Sequence, residues 1–76
     1  MRVPLGDQII CVKRELGFRE RVYARRVEMK VMTQQEADRE LTRMKAVLAT
    51  LEGLLREKRE RLIESWVQAP AQKDEG

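Results

Sequence analysis

The sequence predicts an all-α fold: an antiparallel hairpin of two long helices that dimerises into a four-helix bundle. Three observations predict it. A leucine stands at every seventh position from Leu41 to Leu62. A helix-start signal, Thr33-Gln34-Gln35-Glu36, interrupts the chain near its middle. The half before that signal carries two apolar stripes where a lone hairpin can cover one.

The first helix is expected over residues 8–31. Pro4 and Gly6 argue against helix before it, and Asp7 is the expected N-cap, its carboxylate accepting from the free amides of the first turn. Gly17 is a weak point, costing ~1 kcal/mol relative to alanine unless a neighbouring helix comes close there. At about 100° per residue, Ile9, Val12, Leu16, Tyr23 and Val27 fall on one side. Cys11, Phe18, Val22 and Met29 fall roughly 140° away. Left in water, each residue of the second stripe forgoes ~1.5–3 kcal/mol of burial. A second copy covering that stripe is the economical solution, packed at the shallow angles of a bundle.

The second helix is expected over residues 34–67. Thr33 caps it, Glu36 reaches back to the Thr33 amide, and Met32 can pack on Ala37 as a hydrophobic staple. Leu41, Leu48, Leu55 and Leu62 hold one heptad position; Ala37, Met44 and Leu51 hold its partner, which Lys58 interrupts. Val47 and Leu54 widen the stripe as a bundle helix requires. The seam and the second stripe together are the expected self-association residues. Pro70 should stop the helix, leaving residues 68–76 as an unstructured tail. At 1.5 Å per residue the second helix is ~50 Å long and the first ~36 Å, so the second must overhang. On that overhang, after the charged run Arg56–Arg61 with its expected Glu57–Arg61 pairing, come Ile63 and Trp66. Tryptophan is enriched at binding hot spots, which makes these two candidate partner-contact residues.

Size reinforces the need for a partner. A chain near 76 residues buries only about 60% of its unfolded surface. Small folds of this kind lean on disulfides, metals or partner subunits. Cys11 is the lone cysteine and histidine is absent. A disulfide within the chain is excluded, and neither a metal nor another cofactor is expected. Charged residues are 38% and hydrophobic residues 42%, too apolar and regular for a disordered chain. The N-terminal residues lack the apolar core of a signal peptide. No apolar run approaches the ~20 residues that span a membrane. A cytoplasmic setting is the expectation, with no membrane partner.

Catalytic chemistry is not expected. Cys11 reads as a buried structural thiol, Ser65 is the sole serine, and the four glycines are isolated. No nucleophile–base pair can be assembled, so the chain reads as a non-enzymatic binding protein. Its basic excess lies in the first half: residues 8–32 carry a net +4, residues 33–67 a net zero. Arg14, Arg21 and Arg25 share one face of the first helix, beside Phe18 and Val22. An acidic protein partner fits that face. Nucleic acid is the alternative, with each phosphate contact contributing a salt-dependent term. The leucine helix does not follow a bZIP pattern, because the Thr33 cap separates it from the basic stretch.

Four runs carry a family resemblance. Cys11-Val12-Lys13-Arg14-Glu15-Leu16 and Arg19-Glu20-Arg21-Val22-Tyr23 are followed by Met32-Thr33-Gln34-Gln35-Glu36-Ala37-Asp38-Arg39-Glu40-Leu41, leading to Leu48-Ala49-Thr50-Leu51-Glu52. Over roughly residues 8–52 the chain resembles short helical proteins encoded in bacteriophage and prophage genomes, mostly uncharacterised. It departs from them at Ala24, where the pattern has a proline; without it the first helix can run unbroken. The resemblance implies no catalytic residues. It implies a phage accessory setting, in which a small protein binds and modulates or inhibits a bacterial host protein.

Overall fold

The computed structural model describes the backbone of residues 2–74 and the side chains of residues 2–67. Two helices, α1 (Leu5–Glu28) and α2 (Gln34–Asp74), pack against each other, with no strand among the described residues. The molecule is a rod with extents of 71 × 25 × 16 Å. Antiparallel alignment follows from the short connection, and Lys13 and Glu52 form an ion pair across it, 3.6 Å apart. Both partners are well exposed, so this pair is worth ~1 kcal/mol at most.

α1 begins earlier than the sequence suggests. Pro4 is its N-cap residue, with φ −56° and ψ 147°. Its missing N–H does no harm at a helix start, where the first amides have no helical partner anyway. Asp7 is therefore not the cap but sits in the first turn, where its charge still complements the helix dipole. The Gln8 side-chain amide donates to the Val3 carbonyl at 2.9 Å, tying the entering strand of chain to the first turn. Gly17 meets no neighbouring helix: a Cβ there would find only Arg21 Nη1, 4.0 Å away.

α1 also ends earlier, at Glu28, through a Schellman arrangement. The Lys30 N–H donates to the Val27 carbonyl and the Val31 N–H to the Arg26 carbonyl, both at 3.0 Å. This geometry requires a left-handed residue, and Lys30 supplies it with φ 64°. Glycine takes that conformation without the Cβ clash a lysine meets. Lys30→Gly is therefore expected to raise the unfolding free energy by about 0.5–1 kcal/mol, the loss of a cation near the helix end offsetting part of the gain. A urea midpoint that falls would count against this reading of the turn.

The start of α2 follows the sequence closely. Thr33 Oγ1 accepts from the Glu36 N–H at 3.0 Å, and Glu36 Oε1 accepts from the Thr33 N–H and hydroxyl, each at 3.0 Å. The Thr33 backbone and side-chain hydrogen bonds hold the Glu36 carboxyl below its ordinary value of 4.5. A depressed carboxyl contributes stability that is full above its unfolded value and is lost as pH falls through its folded one. Helicity is thus expected to drop in acid below the ordinary value, and Glu36→Gln to flatten that drop in a circular-dichroism titration. An equal acid transition in the variant would show that the box does not set it.

The core is thin. Among the described residues only Ile9 (6% exposed) and Ala37 (2%) are buried. Val12, Leu16, Tyr23 and Val27 face α2 half-buried; Leu41, Met44, Leu48, Leu51 and Leu55 answer them from α2. Met32, half-buried, leads into the turn beside Ala37. The accessible surface is 6658 Å², against about 4,900 Å² expected for a folded monomer of this mass. The excess goes with the elongated two-helix shape, which leaves much of each helix open to solvent.

α2 does not stop before Pro70 but runs to Asp74. Ala69, Ala71, Gln72 and Lys73 around the proline are strong helix formers. Residues 75–76 of the expected tail lie outside the described residues.

Candidate protein-interaction surface

Two apolar surfaces lie open on the rod. The first is the outer face of α1. Phe18 is 54% and Met29 65% exposed, Val22 is half-buried at the edge of the helix pair, and Cys11 is exposed. The expectation of a buried thiol is thus corrected: Cys11 sits on the stripe that α2 leaves uncovered. Phe18, Arg21, Val22, Arg25, Arg26 and Met29 line one open groove of about 330 Å³. Its lining is mainly apolar, with three arginines beside Phe18, Val22 and Met29. Two of the three arginines singled out from the sequence, Arg21 and Arg25, are brought to this groove; Arg14 is exposed on the same helix but does not line it.

Arg14, Arg21 and Arg25 form no ion pair within 4 Å among the described residues. Arg19 behaves differently. Its Nε donates to Glu15 Oε1 at 2.9 Å, and this hydrogen bond raises its affinity for its proton above the ordinary arginine range. The charge between the two stripes is therefore partly neutralised within the helix, and the charge on the Arg14 side is not.

The second surface is the overhang of α2. α1 is 24 residues long and α2 is 41, so α2 outruns its partner by several turns. Leu55 still lines a groove with Ile9; Leu62, one heptad on, is 50% exposed because α1 no longer reaches it. Trp66 falls on the same side as Leu55 and Leu62, eleven and four residues along a helix with 3.6 per turn. Ile63 (56%), Trp66 (69%) and Val67 (66%) are open to solvent. The charged run before them is exposed, and the expected Glu57–Arg61 pair does not form. The two surfaces are not brought together. Met29 lies by the turn, and Trp66 lies past the other end of the hairpin.

Sequence reasoning missed one element of this geometry. Val47 and Leu54, each 48% exposed, flank the leucine seam, and Val47 lines a groove with Cys11, Val12 and Leu51. The apolar face of α1 therefore continues onto α2. The heptad position of Val47 hinted at this, but the rotation of one helix about the other decides which flank of α2 adjoins which flank of α1.

No group of three or more metal-ligating side chains occurs among the described residues. No helix in the described residues is long and apolar enough to cross a membrane. No family model, curated protein or solved structure matches the chain.

Proposed function

We propose that this chain is a non-enzymatic protein–protein interaction module. It pairs with a second copy to form a four-helix bundle, and it uses the end of α2 to bind a further protein. The observation that carries this reading is the amount of large apolar surface left open on an otherwise regular hairpin, ending in Trp66. Isolated exposed apolar residues are ordinary. A helix-long stripe and a tryptophan-tipped overhang are contiguous patches of the kind that mark interaction sites. Following the resemblance in sequence, the further partner is a bacterial host protein, which the chain modulates or inhibits as a phage or prophage accessory factor. Sedimentation of the purified chain tests the pairing, and a compact monomer would refute it. Retention of a discrete protein from bacterial lysate on the immobilised chain tests the rest.

One observation favours a second reading, a small nucleic-acid-binding factor. Arg14, Arg21 and Arg25 are exposed and without carboxylate partners among the described residues. Phosphate contacts by these arginines would give affinity for duplex DNA that falls steeply with salt. Titration of the chain with random duplex at low and moderate salt separates the readings. Absence of binding at low salt sinks the nucleic-acid one.

A further inference from the structure

The uncovered face of α1 has a symmetry of its own. Its residues at heptad-seam spacing are Cys11, Glu15, Phe18, Val22, Arg25 and Met29, separated by alternating steps of four and three that read the same in both directions. Reversed about residue 20, this series pairs Cys11 with Met29, Phe18 with Val22, and Glu15 with Arg25. Apolar side chains meet apolar ones, and the only two charged members meet with opposite sign. We infer that two copies of the chain pair through α1 in antiparallel orientation, about a two-fold axis at the level of residue 20. This rests on the self-association proposed above and specifies its geometry.

Other arrangements lose the complementarity. A parallel pair sets Glu15 on Glu15 and Arg25 on Arg25. An antiparallel pair shifted by a heptad one way sets Arg25 on Val22, and shifted the other way sets Glu15 on Phe18; both bury charge against apolar surface, which is costly. One edge of the seam agrees with the unshifted register; on the other, Arg19 meets its own symmetry mate, its charge offset by Glu15 of the same helix. Arg14 comes opposite Glu28 of the second copy, twice by symmetry. Glu15 uses Oε1 for Arg19, leaving Oε2 for Arg25 of the second copy. Arg21 facing its own symmetry mate is the one unfavourable contact on its edge, and the exposed side chain can turn outward.

The apolar face extends past α1. Because Cys11 and Val47 share a groove, the face spans two helices. A strip about 36 Å long and one helix diameter wide covers roughly 360 Å² per copy, and Val47 beside Cys11 extends that face onto α2.

Cross-linking of the full chain tests the register. In it the two Cys11 residues are about 27 Å apart along the axis, being eighteen residues apart in helix position. Wild-type chain treated with diamide should stay uncross-linked on a non-reducing gel. Met29→Cys places a second thiol opposite Cys11 of the other copy and should give a covalent dimer that the Cys11→Ala/Met29→Cys chain does not. Charge exchange is the second measurement. Glu15→Arg or Arg25→Glu alone should weaken the dimer about tenfold, and the double exchange should restore it. A wild-type dimer cross-linked through Cys11 itself overturns the antiparallel register. So does a dimer that Met29→Cys does not cross-link, with self-association left standing in both cases. A monomer in sedimentation overturns the register and the self-association together.

Discussion

The Phe18→Glu chain is expected to sediment as a monomer at concentrations where the wild-type chain is a dimer. Phe18 points away from α2 and is 54% exposed, so the hairpin loses little by the change. The dimer loses two phenylalanines from the middle of its seam, each worth ~1.5–3 kcal/mol of burial. It also gains two carboxylates where Val22 of the other copy sits. A loss of at least ~3 kcal/mol is more than 100-fold in the dissociation constant. Thermal melts read the same effect. The wild-type midpoint should climb with protein concentration, as mass action requires of an associating fold, and the variant midpoint should be lower and independent of concentration. A Phe18→Glu chain that still dimerises would show that α1 does not form the interface.

Trp66→Ala is expected to separate binding from folding at the other end of the molecule. The indole is 69% exposed on a stretch of α2 that α1 does not reach. Its removal should leave the unfolding free energy within about 0.5 kcal/mol of wild type, the range of ordinary surface changes. Against the protein retained from lysate, affinity should fall by ~2 kcal/mol or more, roughly 30-fold, as for a central tryptophan anchor. Equal retention by wild type and variant would remove the overhang from the proposed contact surface.

What could be read from the residues was what is local to them. The Thr33–Glu36 box is complete within four residues, and its hydrogen bonds form as the spacing implies. The stripe facing α2 and the overhang follow from helical periodicity and from length, and both are present. The ends of α1 were less legible. Pro4 was read as excluding helix, although the first turn has no use for the N–H that proline lacks. The left-handed residue that closes α1 is Lys30, where neither glycine nor asparagine marks the position. The exposure of Cys11, the Lys13–Glu52 pair and the groove shared by Cys11 and Val47 depend on how the helices are rotated about each other. No spacing within one helix encodes that rotation.

The turn between the helices has a consequence for kinetics. All its fastenings, from the Val31–Arg26 bond to the Thr33–Glu36 box, join residues no more than five apart. Closing it therefore costs little chain entropy, and contacts can zip outward from it with each step enclosing only a small loop. The search within the chain is short, and the slow event is the meeting of two chains. Refolding of wild type should carry a concentration-dependent phase, and the Phe18→Glu chain, with nothing left to meet, should refold in a single first-order step.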